Sequence, residues 1–235
     1  MTNMIYVMSD IHGEYKKYIQ MLELINFSDE DELYILGDVV DRGDEPVKVL
    51  LDMMKRPNVF PLMGNHDLLA LDVLRKISVD ITENNFATQI DISVMNEMLD
   101  WLNNGGATTM EDFRKLDKTE RTDVLNYISD FPLCEIAETD DKTFILVHAG
   151  LGNFRPDKKL RDYTPEELIS SRNNPDIQYF SDDSIYIVSG HTPTINTTGK
   201  PEIYINCNNL NIDCGAVFGG KLGCLRLNDM KEFYI

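Results

Sequence analysis

The chain has 235 residues, of which 43% are hydrophobic, enough to bury one sizeable core. We therefore expect a single domain spanning residues 1–235. The formal net charge of -18, without any basic run, excludes the electrostatic footprint of a nucleic-acid binder. No stretch approaches the roughly 20 apolar residues that cross a bilayer, and the first residues lack the pattern of a signal peptide. These features predict a cytoplasmic protein with no membrane partner.

The first third of the chain alternates short apolar runs with helical patterns. The apolar runs predict strands at Ile5–Met8, Leu33–Leu36 and Val59–Met63. Two segments between them, Tyr15–Leu24 and Glu45–Lys55, carry apolar residues at helical spacing. This β-α-β-α-β order predicts parallel strands buried on both faces, which explains why the runs are continuously apolar.

The pattern from about residue 67 to residue 131 is mostly helical and predicts a helical insert in the domain. Strands return at Phe144–Val147 and Ile185–Val188, with short ones near Ile203–Ile205, Ala216–Phe218 and Leu222–Leu227. The predicted fold class is α/β (α+β). We expect strands that run alike to gather their carboxyl ends at one sheet edge, where open α/β sheets bind their ligands.

Side chains of metal-binding types follow five of the predicted strands directly. The chain has four histidines, and every one lies at such a strand end. A single histidine in this place is more often a hydrogen-bonded structural residue than a ligand. Four out of four, accompanied by two aspartates and an asparagine, indicate a metal centre instead. The set comprises Asp10, His12, Asp38, Asn65, His66, His148 and His191.

The residue types favour a site for two ions. Asp10 and His12 lie two positions apart, so an extended segment points both to one face, where they can share an ion. The two carboxylate oxygens of Asp38 can bridge a pair of ions. Mixed oxygen and imidazole ligation favours Mn²⁺, Fe or Zn²⁺ over Mg²⁺ and Ca²⁺. We therefore expect two divalent metal ions, with Mn²⁺ as the first choice.

These segments resemble the signature motifs of the phosphoprotein phosphatase family, a branch of the calcineurin-like metallophosphoesterases. The likeness extends over nearly the whole chain and is greatest to the serine/threonine protein phosphatases of the bacteriophage lambda type. The motifs are Asp10-Ile11-His12-Gly13, Gly37-Asp38-Val39-Val40-Asp41-Arg42-Gly43, Gly64-Asn65-His66-Asp67, His148-Ala149-Gly150 and Gly190-His191-Thr192, joined by residues 101–106 and 212–220.

The resemblance implies a β-sandwich flanked by helices, with two metal ions bridged by Asp38. Separate groups of ligands complete the shells of the two ions. Those of the first ion are Asp10 and His12, and those of the second are Asn65, His148 and His191. The implied reaction is direct attack on phosphorus by a metal-bridging hydroxide, without a covalent phosphoenzyme.

The same resemblance implies roles for residues that do not bind metal. His66 would be the general acid that protonates the leaving group, and Asp41 would orient it. Arg42 would fork onto phosphate oxygens, and Arg172 would be a second phosphate ligand. An exposed arginine commonly has no such role, so a solvated loop residue is the alternative interpretation of Arg172.

Two departures from the lambda-type pattern leave the substrate open. Met63 stands where those phosphatases usually have arginine, and Asp67 where they usually have glutamate. Both departures are similar to the symmetric diadenosine tetraphosphate hydrolases, whereas Asp41 is typical of the phosphatases. We expect a phosphomonoester hydrolase acting on a phosphorylated protein or a small-molecule phosphate, with the tetraphosphate hydrolase as the alternative. A catalytically silent metal-binding module is the third hypothesis, disfavoured because the full residue set is present.

Met63 itself allows two interpretations. If an arginine here normally steadies the phosphate, its absence predicts weak binding of small aryl phosphates, corrected by Met63→Arg. Alternatively, Met63 is the apolar end of a strand packed in the core, and an arginine in its place would destabilise the fold.

Overall fold

The computed structural model describes residues 3–78, 92–172, 174 and 177–235, and within these ranges it contains two five-stranded sheets. The strands are β1 (Ile5–Met8), β2 (Glu32–Ile35), β3 (Val59–Pro61), β4 (Cys134–Glu138), β5 (Thr143–Val147), β6 (Ile185–Ser189), β7 (Tyr204–Asn206), β8 (Asn209–Asn211), β9 (Gly223–Arg226) and β10 (Lys231–Tyr234). The first sheet has the order β10-β9-β1-β2-β3, and the second has the order β4-β5-β6-β8-β7.

Helices connect the strands and cover the sheets. They are α1 (Tyr15–Leu24), α2 (Pro46–Met53), α3 (Asn65–Ile77), α4 (Ile92–Trp101), α5 (Ala107–Lys115), α6 (Lys118–Ser129), α7 (Pro165–Ile169) and α8 (Thr194–Thr198). A π-helical turn, Leu102–Gly106, joins α4 to α5. None of the helices in the described ranges is long and apolar enough to cross a membrane.

Both sheets are mixed. In the first, β1, β2 and β3 are parallel, and β9 and β10 continue the sheet as antiparallel strands. In the second, β5, β6 and β8 are parallel, with antiparallel β4 and β7 at the edges. Helices α1 and α2 provide the crossovers that parallel neighbours require. The predicted β-α-β-α-β order of the first third is confirmed.

Neighbouring residues of β1 face two different cores. Val7 packs between the sheets in a cluster that includes Phe144 of β5 and Leu225 of β9. Met8 points the other way, into a cluster with Tyr18 of α1. Because successive side chains of a strand alternate between faces, both faces of β1 are buried. This explains the continuously apolar sequence of the strand.

The predicted α/β (α+β) sandwich flanked by helices is confirmed, with two differences in detail. The five strands that precede metal-type residues are divided between the sheets: β1, β2 and β3 lie in the first, and β5 and β6 in the second. The expectation of one shared sheet edge was therefore wrong, because an apolar pattern reports burial and not the partner strand.

The predicted strand at Ala216–Phe218 was also wrong, since these residues form a 3₁₀ turn between Gly215 and Gly219. Both glycines are in the left-handed conformation, which interrupts a strand. The predicted helical insert, about residues 67–131, includes residues 79–91, which lie outside the described ranges. In the remainder of that segment α3, α4, α5 and α6 follow one another. The single domain spanning residues 1–235 stays a prediction.

Candidate metal centre

The loops that follow β1, β2, β3, β5 and β6 meet at one end of the sandwich. The backbone N–H of Asp10 donates to the carbonyl of Gly37 at 3.1 Å, joining the first two loops. The backbone N–H of His191 donates to Oδ2 of Asp10 at 2.9 Å, and Nδ1 of His148 donates to the carbonyl of Leu36 at 2.6 Å. These last two bonds connect one sheet to the other, so the predicted metal-type residues lie together.

The backbone is strained where these loops meet. In the described part of the chain, ten non-glycine residues have a positive φ, and six of them are predicted site residues. The six are Asp10 (52°), His12 (44°), Asp38 (52°), Asp41 (71°), Arg42 (70°) and His191 (66°). Such conformations cost energy and persist only where the surrounding contacts hold them. Their concentration at one place is typical of a functional site.

Asp38 lies between two imidazoles and turns a different oxygen towards each. Its Oδ2 is 3.5 Å from Nε2 of His12, and its Oδ1 is 3.5 Å from Nε2 of His148. Around Nε2 of His148, Oδ1 of Asn65 lies at 3.1 Å and Nδ1 of His191 at 3.2 Å. Asp38 can therefore contribute one oxygen to each of two neighbouring sites.

The ring nitrogens that face away from Asp38 fix two of the imidazoles. Nδ1 of His12 donates to the carbonyl of Val40 at 2.8 Å, and Nδ1 of His148 donates to that of Leu36. Each ring then turns its Nε2 towards the site, an arrangement found in metal-binding histidines. Burial lowers the pKa of His12 to about 3, which keeps the ring neutral as coordination requires.

Donor atoms of three side chains lie within 4.8 Å of one another in two places among the described residues. One group is His12, Asp38 and His66, and the other is Asp38, His148 and His191. Asp38 is common to both, which fits a carboxylate that bridges two ions about 3.5 to 4 Å apart. The first group contains His66, for which the resemblance implied proton donation instead of coordination.

Buried carboxylates crowd this place. Burial, reinforced by the charge of Asp38, raises the pKa of Asp10 to about 6. Burial and the charge of Asp10 raise the pKa of Asp213 well above its ordinary value. Burial also opposes ionisation of Asp38, but the imidazoles of His148 and His12 outweigh it and lower its pKa. Divalent cations relieve such repulsion, so this donor set of carboxylate, amide and imidazole groups fits two metal ions.

His66 is held by a chain of hydrogen bonds from the helical segment. Its Nδ1 donates to Oδ2 of Asp41 at 2.8 Å. The fully buried Asp41 also accepts from Nε1 of Trp101 at 3.0 Å and from Oγ1 of Thr109 at 2.7 Å. Burial lowers the pKa of His66, but the hydrogen bond to Asp41 and the charge of Asp38 outweigh it and raise the pKa. Asp41 thus favours the protonated ring.

Arg42 extends over the centre. Its Nη2 donates to Nε2 of His66 at 2.7 Å, and its Nη1 donates to Nε2 of His12. The backbone N–H of Arg42 donates to the carbonyl of Gly105 at 2.9 Å. A Cβ at Gly105, where φ is 109°, would lie 2.6 Å from Cγ of Arg42. Glycine is therefore required for the π-helical turn to support the arginine.

An open cleft of about 520 Å³ lies above these residues. Arg172 lines it, as do Asp38, Asn65 and His66. Burial and the charge of His148 lower the pKa of His191 to about 4, and the charge of Arg172 adds to this effect. Both predicted arginines thus face the centre. The rest of the wall is formed by Asn104, Pro193, Ile195, Asn196 and Phe218, and of these the sequence did not single out Pro193, Ile195 and Asn196.

Asp67 supports the loop that presents Asp38. Its fully buried carboxylate accepts hydrogen bonds from the backbone N–H groups of Asp38 at 2.7 Å, Val39 at 3.0 Å and Gly64 at 3.0 Å.

Met63, the other departure from the lambda-type pattern, is only 5% exposed and packs in the core shared by the first sheet and its helices. Its burial supports the interpretation of Met63 as a packed strand end.

Comparison with known proteins agrees with the geometry. The family model of calcineurin-like phosphoesterases matches residues 4–219. The asymmetrical bis(5′-nucleosyl)-tetraphosphatase PrpE of Geobacillus sp. (strain WCH70) is 27% identical, covering 97% of this chain and 92% of the relative. A symmetrical bis(5′-nucleosyl)-tetraphosphatase of Proteus mirabilis is 23% identical, covering 97% and 96%. Serine/threonine-protein phosphatase 2 of Salmonella typhimurium is 30% identical, covering 62% and 57%.

A solved structure supports the fold. A crystal structure described as a proposed diadenosine tetraphosphatase matches with a TM-score of 0.68 at 17% identity, covering 100% of this chain and 94% of its own. The relatives that match 97% of the chain are named bis(5′-nucleosyl)-tetraphosphatases, so the expected greater likeness to lambda-type phosphatases is not supported. The family match spans most of the sequence. The chain belongs to the calcineurin-like phosphoesterase family, whose members hydrolyse phosphate esters with divalent metals.

Proposed function

We propose that this chain is a two-metal hydrolase of dinucleoside polyphosphates. The observation that carries the proposed centre is the position of Asp38, with one oxygen towards His12 and the other towards His148. Asp10 and His12 complete the first site, and Asn65, His148 and His191 complete the second. Mn²⁺ is the ion we propose for both, because the donors are mixed oxygen and imidazole nitrogen.

The protein side chains bind the phosphate and supply a proton. Two divalent ions at this centre would activate water and neutralise phosphate charge. Arg42 and Arg172 bind phosphate oxygens from the cleft side. Once phosphate oxygens replace the imidazoles as acceptors of Arg42, Nε2 of His66 is free to hold a proton. His66 then protonates the leaving oxygen, while Asp41 keeps the ring oriented.

The relatives support the proposed substrate. Those that match 97% of the chain are named bis(5′-nucleosyl)-tetraphosphatases. The cleft volume of about 520 Å³ exceeds what one phosphate occupies and falls in the range of sites for small organic molecules. Fold alone would not select this substrate among phosphoesterases. The substrate assignment therefore depends on the length of the sequence match.

Hydrolysis of phosphomonoesters, including phosphoproteins, is the second candidate. It is supported by Asp41 and Arg42, which stand in a motif similar to that of protein phosphatases. It is also supported by the Salmonella serine/threonine-protein phosphatase 2, which is 30% identical over 146 residues. Asp67 does not distinguish the two candidate substrates, because its carboxylate binds the backbone of the Asp38 loop instead of facing the cleft.

The deciding experiment compares three substrates side by side with Mn²⁺-loaded protein: diadenosine tetraphosphate, an aryl phosphate and a phosphoserine peptide. We expect kcat/KM for diadenosine tetraphosphate to exceed that for the phosphopeptide at least tenfold. The nucleotides released, two ADP or ATP plus AMP, identify the bond that is cleaved. The opposite preference would support the second candidate. No metal-dependent hydrolysis of any substrate would support the silent module instead.

A further inference from the structure

An exposed aromatic ring stands at the wall of the cleft. Phe218 is 62% exposed, although phenylalanine is ordinarily buried. It lines the same cleft as Arg42, Asn65 and His66, and the half-exposed Ile195 lines this cleft as well. Single exposed apolar residues are common on protein surfaces and need no explanation. Two of them at the opening of a charged metal centre form an apolar surface beside a phosphate site.

The backbone holds the ring of Phe218 outward. Ala216–Phe218 form a 3₁₀ turn, and the N–H groups of Phe218 and Gly220 donate to the carbonyl of Gly215 at 3.0 and 2.9 Å. Nζ of Lys17, on α1, donates to the carbonyl of Ala216. The flanking glycines are left-handed, a conformation that fixes the direction of this turn. The exposure of Phe218 is therefore built into the turn.

The ring also contacts the phosphate-binding arginine. The guanidinium carbon of Arg42 lies 5.1 Å from the centroid of the Phe218 ring, within the range of a cation–π contact. This contact covers part of one side of the ring, and the 62% exposure leaves much of the remainder open to the cleft. A substrate whose phosphate lies on Arg42 therefore has an aromatic surface next to it.

We propose that Phe218 is the residue on which a base of the substrate stacks. This inference rests on the proposed hydrolysis of dinucleoside polyphosphates. A phosphate group gains nothing from an aromatic surface, whereas a nucleobase stacks on one at a gain of about 1–3 kcal/mol. Every base has a planar face, so such stacking favours nucleotides over sugar phosphates without selecting one base. Phe218 would thus determine specificity and take no part in bond cleavage.

Binding of AMP and ribose 5-phosphate to the Mn²⁺-loaded protein tests this directly, because the two ligands differ in carrying adenine or a hydroxyl group on C1 of the ribose. We expect titration calorimetry to show that AMP binds about 5- to 150-fold more tightly to the unaltered protein. Phe218→Ala should bring the ratio of the two dissociation constants close to one, and Phe218→Tyr should restore it. Phe60→Ala is the matched control, because Phe60 is 39% exposed on β3 and does not line the cleft.

Two results would overturn the inference. One is equal binding of AMP and ribose 5-phosphate by the unaltered protein. The other is an equal loss of affinity for both ligands in Phe218→Ala, which would mean that the ring acts only by steadying Arg42. The readout is independent of turnover, so it separates this inference from the proposed function. A protein that prefers AMP yet fails to hydrolyse diadenosine tetraphosphate would retain the stacking residue and refute the proposed reaction.

Discussion

His66→Asn should slow hydrolysis while leaving both metal ions bound. His66 donates from Nδ1 to Asp41 at 2.8 Å, so only Nε2 faces the centre. His66 belongs to one group of possible metal donors with Asp38 and His12, so coordination of the first ion is the competing role. Nε2 of His66 lies 2.7 Å from Arg42, the side from which phosphate would approach. The substitution therefore distinguishes proton donation by His66 from metal coordination by His66.

The size of the loss in kcat caused by His66→Asn depends on the leaving group. A positioned general acid contributes roughly 10²- to 10⁴-fold, so kcat for a phosphoserine peptide should fall by that factor. The loss should be smaller for a dinucleoside polyphosphate, because a phosphate oxygen is a weaker base than an alkoxide. It should nearly vanish for an activated aryl phosphate. The fold survives, because Asp41 keeps the donors Trp101 and Thr109 after losing one hydrogen bond worth about 1.5–3 kcal/mol.

The assay combines steady-state kinetics on the three substrates with metal analysis of the dialysed protein. His191→Asn is the matched control, since the same substitution in the second group of donors should lower the metal content. If His66→Asn keeps its metal content and its loss of kcat depends on the leaving group, the result would support His66 as the general acid. Release of metal from His66→Asn, or equal slowing on all substrates, would refute this reasoning.

Three further predictions concern the surroundings of the centre. Trp101→Phe removes the indole donor to Asp41 and should lower the free energy of unfolding by about 1.5–3 kcal/mol in urea titration, and a change below about 0.5 kcal/mol would contradict it. Met63→Arg buries a charge and should cost at least roughly 2 kcal/mol without lowering KM for an aryl phosphate, and a stable variant with a lower KM would show that this side chain reaches the cleft. Gly105→Ala should lower the free energy of unfolding by roughly 1–3 kcal/mol in thermal unfolding and weaken inhibition by phosphate, because the added Cβ would clash with Arg42. Unaltered inhibition by phosphate would show that the turn does not position the arginine.

The sequence predicted the residues that lie at the centre but not what holds them. Asp10, His12, Asp38 and His148 were identifiable because each directly follows an apolar strand, and a metal-type residue in that place is visible in a linear pattern. The role of Trp101 was not predicted, because it donates to Asp41 from 60 positions away and such a contact forms only when the helices pack. The sequence offered no signal for it beyond the motif in which Trp101 stands.

Phe218 shows a second limit of sequence reasoning. An apolar run next to glycine predicted a strand, whereas left-handed Gly215 and Gly219 produce a turn that exposes the ring. Glycine permits many conformations, so its presence does not reveal which one tertiary contacts select. The division of the strands between two sheets could not be predicted for a related reason. Which strands pair depends on contacts between segments that are distant in sequence.

Metal stoichiometry of Asp38→Asn beside the unaltered protein tests the two-metal centre most directly. After loading with Mn²⁺ and dialysis, the unaltered protein should retain two ions per chain and hydrolyse its substrate. Because Asp38 is the one residue of the described ranges that belongs to both groups of donors, Asp38→Asn should retain fewer than one ion per chain and lose activity. One ion per chain in the active unaltered protein, or two in a fully active Asp38→Asn variant, would contradict the account.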